Sequence, residues 1–177
     1  MPHVLDDLFL LDTGGCNVRL ARFWADRTVV LLFVRHFGCL FCRQQIADIG
    51  PYVDRIRALG AELVVIGHGS VEEARAFQEE QAVDFAILTD PSREAYRALG
   101  MRRSAWSALN LVVLVRALAA WRRGFRQSRV AGDPFQQGGL VIIAPGGVER
   151  FRFLSHAAGD HPSPERVLEI LASPARQ

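Results

Sequence analysis

Apolar residues gather in short blocks separated by stretches of mixed polarity. Residues 28–34 form a continuous apolar run, the pattern of a central strand buried on both faces. Further strands are expected at 62–66 and 85–88, and a late pair, 140–144 and 148–154, is joined through Pro145-Gly146-Gly147 as a hairpin. Near the start, 8–11 and 17–20 read as another hairpin, turning through Asp12-Thr13-Gly14-Gly15. Helices are expected between these blocks. One runs over 40–59 towards Gly60, with a kink or break at Gly50-Pro51, because proline cannot donate inside a helix. Ser70-Val71-Glu72-Glu73 has the form of a capping box and opens a helix to about residue 81. Asp90-Pro91 opens a shorter helix ending before Gly100, and Ser163-Pro164-Glu165 starts the last, with serine as N-cap and proline behind it. Residues 101–124 are expected to be helical and 127–139 to be a loop. Alternating β and α segments demand a mainly parallel sheet covered on both faces, closed here by an antiparallel hairpin and a helix.

Composition narrows the possibilities. The 177 residues, half of them hydrophobic, suffice for one ordinary domain, expected to span 1–177. A net charge of +2 does not call for a nucleic-acid or anionic-membrane partner. All 21 basic residues are arginine, which excludes lysine Schiff bases and the phosphate-loop lysine. The most apolar stretch, 109–120, contains Asn110 and Arg116 and is shorter than a membrane span, so stable insertion is not expected. The N-terminus lacks a signal-peptide pattern, and three cysteines do not make a disulfide framework; a cytoplasmic setting is expected.

The chemistry concentrates in Gly38-Cys39-Leu40-Phe41-Cys42-Arg43, a Cys-x-x-Cys pair between the central strand and the following helix. That junction puts both sulfurs at the first helical turn, where unpaired backbone N–H groups favour a thiolate. Residues three apart share a helix face, within reach of a local disulfide. A zinc site would require two more ligands, and no second Cys-x-x-Cys or His-x-x-x-His exists, so neither metal nor other cofactor is expected. Arg35 and Arg43 bracket the pair and are candidates for lowering a thiolate pKa. His36 is a candidate proton donor, although a loop histidine is more simply polar surface, and His68 reads as a turn residue. Cys16, in the first hairpin, reads as a passive third cysteine.

These features resemble the thioredoxin-fold peroxiredoxins, and more closely the peroxiredoxin-like 2 group. That group is the alkyl hydroperoxide reductase/thiol-specific antioxidant-like branch that includes prostamide/prostaglandin F synthase. The resemblance rests on the order of elements and on Phe37-Gly38-Cys39-Leu40-Phe41-Cys42-Arg43. It also rests on Leu88-Thr89-Asp90-Pro91 leading to Ala95-Tyr96-Arg97-Ala98-Leu99-Gly100, on Gly132-Asp133-Pro134-Phe135-Gln136-Gln137-Gly138-Gly139 before an apolar strand, and on Gly159-Asp160-His161. It covers about residues 8–172 and implies an α/β thioredoxin fold with a central mixed sheet flanked by helices and an N-terminal hairpin. It also implies reduction of a peroxide or endoperoxide through a Cys39/Cys42 dithiol–disulfide cycle, regenerated by thioredoxin or a small thiol, in a chain that could form a homodimer.

Several positions depart from the usual peroxiredoxin pattern of Pro-x-x-x-Thr-x-x-Cys. Cys39 stands at the threonine position, Arg35 at the proline position and Gln137 near the place of the late arginine. The resemblance makes Cys42 the attacking sulfur, whereas the usual exposure of the first cysteine of such a pair favours Cys39. Arg43 and Gln137 are the expected substrate-binding residues, and Asp160 and His161 are expected to cap the last helix. Two other readings stay open: a thiol–disulfide oxidoreductase acting on proteins, and a redox sensor whose 106–121 segment contacts a partner.

Overall fold

The computed structural model describes residues 3–101, 103, 122, 133, 135–157 and 159–173; most of the 101–124 helix and of the 127–139 loop therefore lies outside the described residues. The chain enters through an antiparallel hairpin, β1 (Phe9–Asp12) and β2 (Asn17–Arg19), with Phe9 opposite Arg19. Asp12 closes the turn by accepting the Gly14 and Cys16 N–H groups on Oδ1 at 2.9 and 2.8 Å. A 3-10 turn, Leu20–Trp24, leads to β3 (Thr28–Phe33). Then follow α1 (Leu40–Ile49), α2 (Val53–Ala58), β4 (Ala61–Gly67), α3 (Val71–Gln81), β5 (Ala86–Thr89) and α4 (Glu94–Ala98). The hairpin β6 (Gly139–Ala144) and β7 (Val148–Leu154) and the helix α5 (Pro164–Ala172) complete the described elements. Among the described residues no helix is long and apolar enough to cross a membrane.

All seven strands join one mixed sheet in the order β2-β1-β5-β4-β3-β6-β7. β3, β4 and β5 are parallel, while β6 runs against β3, β7 against β6 and β1 against β5. Successive side chains of β3 point to opposite faces. Val30, Leu32 and Val34 pack on one side with Ile46 and Ile49 of α1, Ile56 of α2, Phe77 of α3 and Leu168 of α5. Val29, Leu31 and Phe33 pack on the other with Leu20, Trp24, Tyr96, Leu99 and Met101. Each of these fully buried aliphatic side chains contributes about 1.5–3 kcal/mol relative to an exposed one, and a strand apolar on every position is stable only in this doubly covered place.

Local chemistry sets the helix limits. The expected 40–59 helix is two: α1 stops at Ile49, a 3-10 turn spans Gly50–Tyr52, and α2 begins at Val53, because Pro51 has no N–H to continue the ladder. The capping box at α3 forms fully, with Ser70 Oγ accepting the Glu73 N–H at 3.2 Å and Glu73 Oε2 accepting the Ser70 N–H at 2.8 Å. α4 starts later than expected. Asp90 spends its carboxylate on a turn, Oδ2 accepting the Ala95 N–H at 2.9 Å, and Arg93 adopts a left-handed conformation before the helix begins.

The C-terminal ends of β3 and β4 are locked together beneath the candidate site. Val34 N–H donates to the Ile66 carbonyl at 2.8 Å. The fully buried Tyr96 hydroxyl lies 2.7 Å from the Val34 carbonyl and 3.0 Å from that of Ile66. Gly67 lets the Phe37 ring lie against the strand, since a Cβ there would sit 2.4 Å from two ring carbons. Gly138 likewise brings the approach to β6 against the Phe33 carbonyl, 2.1 Å from where its Cβ would be. In Tyr96→Phe the Val34 carbonyl loses its partner while the packing stays. A loss of about 1–2 kcal/mol in urea unfolding is expected, and an unchanged midpoint would show that the hydroxyl does not tie these strands.

Candidate functional site

Past β3 the chain makes a tight entry into α1, and this entry creates the sulfur site. Cys39 is the N-cap, in extended conformation (φ −74°, ψ 125°). Its N–H donates to the His36 carbonyl and its carbonyl accepts the Arg43 N–H, both at 3.1 Å. One turn on, Cys42 faces the same way, and its Sγ accepts the Arg35 N–H at 3.3 Å. Both cysteines are reduced, and each is only 3% exposed. Exposure therefore does not distinguish them, contrary to expectation.

Hydrogen bonding does distinguish them. The Cys42 thiol donates to Cys39 sulfur, and this is the largest influence on Cys39, whose pKa falls from 9.0 to about 6. Burial opposes the shift, while the Arg35 guanidinium and the N–H groups of Cys42 and Phe41 add to it. Cys42 goes the other way: burial pushes its thiol well up, and the bond to Cys39 raises it further. The pair is thus one thiolate and one thiol sharing a proton.

The arginines part company. Arg35 is buried beside the pair, its Nε donating to the Gln136 carbonyl at 3.3 Å. Arg43, expected to bind substrate, instead reaches across to α3 and pairs with the Glu80 carboxylate, Nη2 to Oε2 at 2.6 Å. It ties α1 to α3 because its place on the first turn aims it along the neighbouring helix. Gln137, the second expected substrate residue, is buried with its Nε2 donating to the Phe135 carbonyl at 3.3 Å. The neighbouring Gln136 meets Arg35 through its backbone carbonyl.

The two histidines are not surface or simple turn residues; they are 4% and 3% exposed. Phe37, packed on Gly67 and 5.3 Å from the Phe77 ring, draws the loop inward and His36 with it. Burial, then Arg35, then His68 lower the His36 pKa to about 4, so its ring is neutral. His68 is also lowered, by burial and then by Arg93. Its Nδ1 accepts the Asp133 N–H at 3.4 Å, which leaves the ring proton on Nε2, and the ring meets Tyr96 edge-on at 5.5 Å. Asp133 in turn pairs with Arg93 and, at 2.7 Å, with Arg103 Nε. Cys16 is exposed on the β1–β2 turn.

A small cavity of about 20 Å³ reaches Cys42, lined by Phe33, Arg35, Phe41, Gln45, Gly138 and the segment that follows β7, with Ser155, Asp160 and His161. Asp160 and His161 therefore do not cap α5; Ser163 does, its Oγ accepting the Arg166 N–H at 3.3 Å. Asp160 instead shapes its own loop, accepting the His156 N–H on Oδ2 at 3.0 Å and the Ser155 hydroxyl on its carbonyl at 2.7 Å. The recurring phrase Gly159-Asp160-His161 was the available signal for this wall, but its place near a helix start pointed to capping. Among the described residues no three His, Cys, Asp or Glu side chains converge to hold a metal.

A reduced Cys-x-x-Cys pair on the first turn after the central parallel strand, in this sheet order, defines a thiol-redox protein of the thioredoxin fold. The chain belongs to the AhpC/TSA antioxidant enzyme family, whose model matches residues 49–156. Among curated relatives it is 30% identical over 175 residues to the Thioredoxin-like protein AAED1, chloroplastic, of Arabidopsis thaliana, covering 93% of this chain and 70% of that protein. It is 29% identical to Peroxiredoxin-like 2C of Mus musculus (93% and 77% covered). It is 31% identical to the Prostamide/prostaglandin F synthase of Xenopus tropicalis (89% and 81% covered). Solved structures confirm the fold. A cysteine mutant of PrxQ from Xylella fastidiosa superposes with a TM-score of 0.72 at 13% identity, covering 99% of this chain and 94% of that one. Peroxidoxin BcpB from Mycobacterium tuberculosis superposes at 0.71 with 17% identity, covering 97% and 94%.

The folded-state pKa of Cys39 is depressed, so the thiolate is held above a pH of about 6 and its reactivity falls as pH drops through that value. Arg35→Met should raise the inflection of Cys39 alkylation by about one unit, whereas Arg43→Met should leave it in place. Alkylation rates of the two variants against pH, with the labelled cysteine located by peptide mass, check this; a shift in Arg43→Met alone would reverse the assignment.

Proposed function

We propose that this protein reduces a peroxide or endoperoxide through a Cys39/Cys42 dithiol–disulfide cycle, with Cys39 as the attacking sulfur. The observation that carries the reading is the Cys39/Cys42 pair itself, buried on the first turn of α1 beside Arg35, whose hydrogen bonding favours the thiolate at Cys39 and the thiol at Cys42. The thiolate is the nucleophile and the thiol waits to resolve.

Cys39 sulfur attacks one oxygen of the O–O bond. That bond breaks: with a hydroperoxide the second oxygen leaves as alkoxide or hydroxide and takes a proton from water, and Cys39 becomes a sulfenic acid, whereas with an endoperoxide the second oxygen stays tethered, takes a proton from water, and Cys39 becomes a sulfenate ester. Cys42 sulfur then attacks Cys39 sulfur, the S–O bond breaks, the released oxygen is protonated to water or, from the ester, to an alcohol, and a disulfide remains. Two electrons have passed from the dithiol to the peroxide. Thioredoxin or a small thiol returns them by exchange. Arg35 takes the supporting role expected of Arg43: it lies beside both sulfurs, favours the thiolate, and can stabilise negative charge on the departing oxygen. A reducing compartment such as the cytoplasm suits an enzyme that rests as a dithiol. The deep burial of both sulfurs weighs against disulfide exchange with folded proteins as the main activity, because a protein substrate must reach the sulfur in line.

Reduced protein titrated with hydrogen peroxide or an organic hydroperoxide should lose both thiols of the pair and about two mass units. Cys42→Ser should stop at a sulfenic acid trapped by dimedone, and Cys39→Ser should react no faster than a free cysteine. A wild-type pair that stays reduced would exclude the peroxidase reading, and fast oxidation surviving in Cys39→Ser would move the attack to Cys42.

A further inference from the structure

We propose that Asp133 is a positioning residue for the sulfur pair: it fixes the segment before β6, and the Gln136 carbonyl of that segment orients the Arg35 guanidinium beside Cys39. The inference deepens the peroxidase reading and rests on it for the part that Cys39 plays.

Asp133 is tied down through its backbone and its side chain alike. Its N–H donates at 3.4 Å to Nδ1 of His68, the residue directly after β4. Its carboxylate pairs with Arg93 and, at 2.7 Å, with Arg103 Nε. Oδ1 accepts the Phe135 N–H at 2.9 Å and the carbonyl accepts the Gln136 N–H at 3.2 Å, so the following turn is folded on Asp133 itself. Arg103 also pairs with Gln136 as an isolated antiparallel bridge. Arg93 makes its contact from a left-handed backbone with φ 59°, a conformation disfavoured for a residue that has a Cβ. Such a conformation persists where surrounding contacts over-determine it, and the pair with Asp133 is one of them.

From this anchor a short series of hydrogen bonds runs to the sulfurs. The Gln136 carbonyl accepts Arg35 Nε at 3.3 Å. The Arg35 N–H donates to Cys42 Sγ at 3.3 Å, and the Arg35 guanidinium favours the Cys39 thiolate. A guanidinium is planar, so a bond at Nε sets the direction of the whole charged group. The charged or titratable groups around Asp133 are Arg93, Arg103, His68 and His36, and those around Arg35 are Cys39, Cys42 and His36.

The sign of the effect separates positioning from plain electrostatics. The negative charge of Asp133 is felt at His36, and a negative charge nearby disfavours a thiolate. Removing the charge alone would therefore let Cys39 ionise at lower pH. Removing the anchor leaves Arg35 less well directed, and Cys39 ionises at higher pH.

The test is the rate of Cys39 alkylation by iodoacetamide against pH, with the labelled cysteine located by peptide mass. It is run on the reduced full-length wild type, Asp133→Ala, Asp133→Asn, Arg35→Met and the double variant. Asp133→Ala should move the inflection up by about half a unit or more, which is about a threefold loss of thiolate below the inflection. Asp133→Asn keeps an oxygen for the Phe135 N–H but gives up the ion pairs; it should move the inflection up by less, and it decides the question alone if the alanine variant does not fold. In the Arg35→Met background Asp133→Ala should add less than about 0.2 unit, because the group it acts through is gone. A general structural role would not depend on Arg35 in this way. An inflection that stays or falls in the folded Asp133 variants, or a full further shift in the double variant, would overturn the inference. A wild type that leaves hydrogen peroxide unconsumed would overturn the peroxidase reading, while the alkylation profiles by themselves decide the role of Asp133.

Discussion

The proton held between Cys42 and Cys39 is the interaction on which the rest of this site depends. Two identical thiols at one helix turn have no reason to differ until one donates to the other. The donation lowers Cys39 to about 6, and burial together with the same bond raises Cys42, so the pair holds both a nucleophile and a reserve thiol. Burial opposes ionisation of either sulfur. The thiolate survives at 3% exposure because donors surround it: the Cys42 thiol, the first N–H groups of α1 and the guanidinium of Arg35.

The fold supplies that geometry from a distance. β3 has to end where β4 ends, so that the entry to α1 is tight and the Arg35 N–H meets Cys42 sulfur. Tyr96 and the Val34–Ile66 hydrogen bond hold the two strand ends, and Gly67 and Gly138 admit Phe37 and the β6 approach so close that no side chain could replace their hydrogens without displacement. Arg43, although next to the pair in sequence, serves packing by joining α1 to α3. The sulfur chemistry is therefore built on buried, hydrogen-bonded strand ends, as a precisely positioned site requires.

Much of this was legible in the sequence. The doubly buried strand 28–34 is recognisable from its unbroken apolar run, the capping box from Ser70 and Glu73, and the helix break from Pro51, because each rests on residues near one another in the chain. The thioredoxin arrangement follows from their order. What escaped depends on contacts between distant segments. Nothing near His36 or His68 announces that Phe37 will pull the loop inside. The choice of Arg35 over Arg43 depends on a carboxylate 37 residues away on α3. Asp160 and His161 read as caps because a helix starts nearby, yet the return of β7 beside β6 carries them to Cys42. Relative exposure, a reasonable guide to which cysteine attacks, fails here because both residues are equally buried, and their hydrogen bonding and the Arg35 charge tell them apart.

The most direct test of the shared proton is a pH titration of thiolate ultraviolet absorbance in the reduced protein, compared with Cys42→Ala and Cys39→Ser. The wild type should gain one thiolate at a pH of about 6. Cys42→Ala, deprived of its donor, should gain it at higher pH, and Cys39→Ser should show no thiolate near neutrality. A thiolate that appears at the same pH in Cys42→Ala, or that persists in Cys39→Ser, would contradict the account.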